Sequence, residues 1–249
     1  MLAVLAVAEI GAAGYVIHNN HAPKSAAAAP GRVHPLPTFT STAGSAPATG
    51  SPSLGIEGTS ASQPAAQPVI AFLGDDWTAG TGASGKAQRF TTMVCTQIGA
   101  VEKNFGVNGT GYAKSSGDGG PYESRVAAIV AADPQMVVVS GGRNDNVDSP
   151  ATAAAHARAL FTTLHTELPD ALLVAVAPFW GDSDLPPSMV SLANAVKRGV
   201  TAAGGTYLDV PDPIHGHPSF MADLADPNDQ GYAAIAAALT PQLQPLLPS

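Results

Sequence analysis

From residue 69 onward, short uninterrupted apolar runs alternate with longer stretches of helical period, and that alternation leaves few folds open. VIAFLG (69–74), MVVVSGG (136–142) and ALLVAVAPF (171–179) are the clearest runs; EKNFGV (102–107) and TYLDV (206–210) are weaker ones. A strand covered on both faces reads as a continuous apolar run, and such strands belong to parallel sheets. Between the runs, RFTTMVCTQIG (89–99) places Phe90, Met93, Val94 and Ile98 at helical spacing. Further helices are predicted over 122–133, 151–168, 188–204 and 229–243. Strands and helices in turn predict an α/β fold. The expectation is a flavodoxin-like three-layer α/β/α sandwich with five parallel strands in the order 2-1-3-4-5.

The chain before this region cannot join that sheet. Residues 1–17 (MLAVLAVAEIGAAGYVI) are apolar except for Glu9, and no basic residue precedes them. The run is short of the ~20 residues of a membrane span and longer than a signal core of roughly 7–15. It reads as an export segment or a membrane anchor, since nothing nearby could pack on it as a core helix. Residues 18–67 are rich in Ala, Pro, Ser, Thr and Gly, and Pro23, Pro30, Pro35, Pro37, Pro47, Pro52 and Pro64 forbid any long helix. They read as a disordered tether. A folded domain over 68–249 is then expected outside the cytoplasm, secreted or held at a membrane.

Charge narrows the partners. The chain has 19 acids against 11 bases, and only Glu9, Glu57, Lys24 and Arg32 lie before residue 68. The surplus of −8 therefore belongs to the folded domain. A nucleic-acid binder that tracks phosphates needs a basic surface, so that class is excluded. The single cysteine, Cys95, excludes an intramolecular disulfide and a cysteine zinc cluster. It sits among Val94 and Ile98 and reads as a buried small hydrophobe. A monomer is expected.

In parallel sheets, ligands bind beyond the carboxyl ends of the strands. Strand one ends in Gly74-Asp75-Asp76-Trp77-Thr78, and strand two runs into Asn104-Phe105-Gly106-Val107-Asn108-Gly109. Strand three ends in Gly141-Gly142-Arg143-Asn144-Asp145, and before the last helix stands Asp223-Leu224-Ala225-Asp226-Pro227-Asn228-Asp229. These four segments, in this order, resemble the SGNH hydrolases, the GDSL esterase/lipase family. That family has Gly-Asp-Ser after strand one, a glycine after strand two, Gly-x-Asn-Asp after strand three and Asp-x-x-His before the last helix. The resemblance spans nearly all of residues 69–245. It implies an ester hydrolase of the esterase, lipase or deacetylase type, with carbohydrate or acyl ligands and no cofactor.

Two departures fall on the chemistry. Asp76 stands where the family has its nucleophilic serine, and Asp226 where it has its general-base histidine. Asp223 matches the acid of the triad. The resemblance assigns the oxyanion hole to the Gly106 backbone and the Asn144 side chain. Ester hydrolysis by a serine needs a hydroxyl and a base with a pKa near working pH. A carboxylate at 76 is a poor nucleophile toward an ester, and one at 226 is a weaker base than imidazole, about 3.9 against about 6.5. A carboxylate facing oxyanion donors also repels a developing oxyanion, or fills the hole itself. The reading is a degenerate catalytic site that binds an envelope glycan or acyl group without normal turnover. The alternatives are an atypical ester hydrolase using Asp76, Asp226 or a recruited histidine, and a structural envelope protein with a vestigial cleft.

Three carboxylates brought together cannot all stay ionised and unpaired. Asp76, Asp223 and Asp226 would then hold a proton or a Ca²⁺ or Mg²⁺ ion, both of which take oxygen ligands. Otherwise they hydrogen-bond to local amides, Thr78 or Asn144 and bind nothing. Trp77 and Trp180 at the same rim suit sugar rings, though both could be core. Arg143 could pair with Asp145 or a site aspartate. His215 and His217 lead toward the site, where one could serve as a substitute base, but a solvated loop is the favoured reading. A phospho-receiver domain, which shares the sheet order, needs an aspartate closing strand three and a lysine closing strand five. Ser140-Gly141-Gly142 and Pro211 supply neither. A haloacid-dehalogenase-type phosphatase needs Asp-x-Asp, which Asp75-Asp76-Trp77 does not provide.

Overall fold

The computed structural model describes residues 66–247 apart from Asp118 and Asp148. The export or anchor reading of 1–17, and all but the last two residues of the tether, lie outside the described residues. Five parallel strands form one sheet in the order β2-β1-β3-β4-β5. They are β1 Val69–Gly74, β2 Val101–Gly106, β3 Met136–Val139, β4 Leu172–Val176 and β5 Thr206–Leu208. The helices are α1 Asp76–Ala79, α2 Phe90–Ile98, α3 Val126–Ala131, α4 Pro150–Glu167, α5 Pro187–Ala202 and α6 Asp229–Leu243. The fold is the α/β/α sandwich expected from the alternation.

The pleat explains why the strands carry no polar alternation. Ala71, Leu73, Val137, Val139, Leu173 and Ala175 point to one face and meet α3, α4 and α5. Ile70, Phe72, Met136, Val138, Val174 and Val176 point to the other and meet α2 and α6. Successive side chains of a strand alternate sides, so a sheet covered twice needs apolar residues at every position. On α5, Met189, Leu192, Val196 and Val200 recur at helical spacing and are buried against the first face. Phe161 of α4 is fully buried in the same cluster. On the other face, Phe90 stacks with Tyr232 of α6 at 6.4 Å between ring centroids.

Several elements are shorter than the sequence suggests, among them the strands expected over 171–179 and 206–210, which end at Val176 and Leu208. The helix expected over 122–133 is a 3₁₀ turn at Tyr122–Arg125 followed by α3. The fully buried Tyr122 is held by its hydroxyl, which donates to Ser140 O at 3.3 Å and accepts from Gly142 N–H at 3.1 Å. Strand β3 stops at Val139, because Gly141 and Gly142 adopt φ of 112° and 102°. At Gly141 a Cβ would lie 2.4 Å from Asp75 Oδ2, so only glycine fits there. Among the described residues no helix is long and apolar enough to cross a membrane.

Candidate functional site

The loops after β1, β2 and β3 and the loop before α6 meet at the carboxyl edge of the sheet. With the loop after β4, the loops after β1 and β3 and the loop before α6 enclose a cavity of about 160 Å³ lined by Asp75, Asp76, Trp77, Arg143, Asn144, Trp180, Ala225 and Asp226.

Asp75 is the buried floor. Its side chain caps α1 by accepting from Trp77 N–H at 3.3 Å, and its second oxygen accepts from Gly142 N–H at 3.1 Å. Burial, and then the charge of Asp76, push its carboxyl up to about 7, while the two amides and Arg143 pull the other way.

Asp76 is the first residue of α1 and is only partly buried. Its Oδ2 accepts from Gly109 N–H at 2.9 Å and from Asn144 Nδ2 at 2.9 Å. Asn144 is fixed by a second donation to Thr110 O at 3.0 Å. Two convergent donors are what an oxyanion hole consists of. Here they hold a side chain of the protein itself.

The assignment of Gly106 to that hole is corrected. Gly106 N–H donates to Asn104 Oδ1 at 2.9 Å. Position 106 is glycine for a packing reason: a Cβ there would lie 2.3 Å from Ala79 N. Gly109, three residues on, supplies the amide. Its φ of 72° turns the chain so that the N–H faces Asp76. The motif Asn-Phe-Gly-Val-Asn-Gly contains two glycines, and the Asn-Gly turn signal at 108–109 could have pointed to the second.

The three acids do not form one cluster. Asp226 lines the cavity, and its carboxyl is raised by burial first, then by the charges of Asp76 and Asp223. Asp223 is exposed and lines a neighbouring cavity. Its Oδ1 accepts from Ala225 N–H at 2.7 Å and Asp226 N–H at 2.8 Å, which lowers its pKa. It therefore shapes the backbone carrying Asp226 and does not orient the Asp226 side chain. Among the described residues, no three metal-ligating side chains lie close enough to hold an ion, so the Ca²⁺ or Mg²⁺ set of Asp76, Asp223 and Asp226 is not assembled. The amides at Asp223 and the donors at Asp76 have taken that role.

Arg143 also departs from expectation. Its guanidinium lies over the rings of both Trp77, at 4.8 Å, and Trp180, at 5.2 Å. It donates to Ala225 O, which also accepts from Trp77 Nε1 at 2.9 Å. The buried Asp145 carboxylate accepts from the amides of Tyr112, Ala113 and Lys114 at 2.8, 2.9 and 3.1 Å. Trp77 is almost fully buried, and Trp180 is partly exposed. Only Trp180 thus keeps surface for a ligand. Its position is set by Asp212, which accepts from Trp180 N–H at 2.6 Å and Gly181 N–H at 2.9 Å.

Neither histidine of the loop lines the cavity. His215 faces Asp184 at 3.7 Å, and His217 stacks on Phe220 at 4.7 Å. Cys95 is buried, and its thiol is pushed up to about 12 by burial and Glu102.

A parallel sheet with this strand order, with these loops meeting at its carboxyl edge, defines a flavodoxin-like α/β/α protein. Residues 72–234 match the model of the GDSL-like lipase/acylhydrolase family, and the chain belongs to it. It is similar to the GDSL lipase Rv0518 of Mycobacterium tuberculosis (strain ATCC 25618 / H37Rv), 28% identical over 187 residues, covering 69% of this chain and 80% of that one. Its fold is similar to a lipase/acylhydrolase from Enterococcus faecalis, with a TM-score of 0.59 at 18% identity, covering 73% of this chain and 98% of the other. It is also similar to a family two carbohydrate esterase from Clostridium thermocellum in complex with cellohexaose, with a TM-score of 0.58 at 16% identity. That match covers 72% of this chain and 64% of the esterase.

Proposed function

We propose that this chain is an exported member of its family that binds an envelope glycan or acyl group without normal ester turnover. The observation that carries the reading is the Asp76 carboxylate, which accepts from both Gly109 N–H and Asn144 Nδ2. A substrate carbonyl has to displace a charge-assisted pair of hydrogen bonds to reach those donors. If it did, the hole would stabilise an oxyanion with a carboxylate beside it, which repels it. Asp226 is no replacement for imidazole, and among the described residues no histidine lines the cavity. The loss of nucleophile and base together removes several orders of magnitude of rate. A carbohydrate ligand is supported by the carbohydrate esterase neighbour and by the partly exposed Trp180; export and an envelope setting are supported by the composition of residues 1–67.

The test is hydrolysis of p-nitrophenyl acetate by the natural chain and by Asp76→Ala. Both should stay near the uncatalysed background. Substantial activity in the natural chain, abolished in Asp76→Ala, would overturn the reading and make Asp76 a nucleophile.

A further inference from the structure

Trp180 is the shared wall of three cavities. One is the Asp76 cavity of about 160 Å³. A second, of about 350 Å³, runs along Asp182, Asp223 and Leu224 and shares Arg143 as well as Trp180 with the first. A third, of about 360 Å³, lies along Asp184, Asp209 and Asp212 and shares Ser183 with the second. A single acyl group or one sugar fills only one of these spaces. A linear ligand lying across Trp180 reaches all of them.

The charge along this path is lopsided. Asp76 and Asp226 face the first cavity, Asp182 and Asp223 the second, and Asp184, Asp209 and Asp212 the third. Against them stand Arg143 and His215 on the walls, and Lys197, which pairs with Asp209 at 3.7 Å. Asp212 is spent on the amides of Trp180, Gly181 and Ile214, and Asp223 on those of Ala225 and Asp226. Asp182 and Asp184 are exposed; among the described residues neither accepts a hydrogen bond, and Asp184 faces His215 at 3.7 Å. Clefts lined by one sign of charge focus the field on a ligand of the opposite sign. The Arg143 guanidinium lies 5.2 Å from the Trp180 ring centroid, so one face of that indole already carries a cation of the protein itself.

We infer that the ligand is a linear oligosaccharide whose sugars carry free amino groups, lying across Trp180 from the Asp76 cavity along the acidic groove. The inference rests on the carbohydrate reading of the site and names its class. Sugar faces suit the indole, and the ammonium groups suit the carboxylates of Asp182 and Asp184. Loss of the amine charge by N-acetylation removes the second contribution and leaves the first.

The experiment is calorimetric titration of the full chain with glucosamine oligomers and with their N-acetylated counterparts, each from monomer to tetramer. Affinity for the free-amine series should rise with length. The free-amine tetramer should bind at least about tenfold more tightly than the acetylated one at low salt, and the gap should close toward about 0.5 M NaCl. Trp180→Ala should remove the gain with length. The double change Asp182→Asn with Asp184→Asn alters only exposed side chains, and should weaken free-amine binding several-fold while leaving acetylated binding unchanged. Equal affinity for acetylated and free-amine tetramers, or for monomer and tetramer, overturns the inference and leaves the carbohydrate reading standing. Unchanged free-amine binding in the double variant also overturns it. Binding of neither series overturns both.

Discussion

Asp75 offers the sharpest quantitative prediction. Its carboxyl rises from the ordinary 3.8 to about 7, through burial first and the adjacent Asp76 charge second. The folded state therefore holds this proton more tightly than the unfolded chain. Stability linked to Asp75 is fully present below about pH 4 and is lost as pH rises through about 7. About three pKa units at ~1.4 kcal/mol each set the span at about 4 kcal/mol. Asp75→Asn removes the titration and keeps the shape. It also turns an amide NH₂ toward one of the two donors, Trp77 N–H or Gly142 N–H, which costs about 1–3 kcal/mol at every pH. The variant should thus be less stable than the natural chain near pH 4 and more stable, by about 1–3 kcal/mol, at pH 8. Urea unfolding of both chains across this range measures the difference at constant m-value. A difference that does not shift toward the variant as pH rises would refute the assignment of a buried, high-pKa carboxyl.

Two further perturbations probe the same corner. Asp226→Asn removes a half-buried charge that faces Asp76, and should leave the protein slightly more stable at pH 7, by no more than about 1 kcal/mol after solvent screening; a loss in urea midpoint contradicts the repulsion. Gly106→Ala drives a Cβ to 2.3 Å from the Ala79 backbone nitrogen, which cannot yield as a side chain would, and should cost about 1–3 kcal/mol in chemical unfolding.

Much of the fold is legible in the residues themselves. Val137, Val138 and Val139 admit no polar face, so a doubly covered strand is the only element they can make, and the glycines that follow must end it. Position along the chain also identifies the loops that meet. What is not legible depends on direction. Gly106 and Gly109 are equally glycine in sequence, and only the register of β2 against α1 shows that one is needed for space and the other for its N–H. The Asp-x-x-Asp spacing brings Asp223 and Asp226 close together along the chain, but the turn it creates directs Asp223 to the Ala225 and Asp226 amides rather than into the cavity. Arg143 lies between Gly142 and Asn144 in a motif that says nothing of its partners; its seat over Trp77 and Trp180 exists only once the loops after β1, β3 and β4 converge.

Gly109 N–H and Asn144 Nδ2 converge on the Asp76 carboxylate, where the proposed function places the donors of an oxyanion hole; that placement is the central claim. The most direct measurement is p-nitrophenyl acetate hydrolysis by Asp76→Ser combined with Asp226→His, against the natural chain. Freeing Gly109 N–H and Asn144 Nδ2 while supplying a hydroxyl and an imidazole should raise the rate at least about a hundredfold. A folded double variant that hydrolyses no faster than the natural chain would contradict the claim.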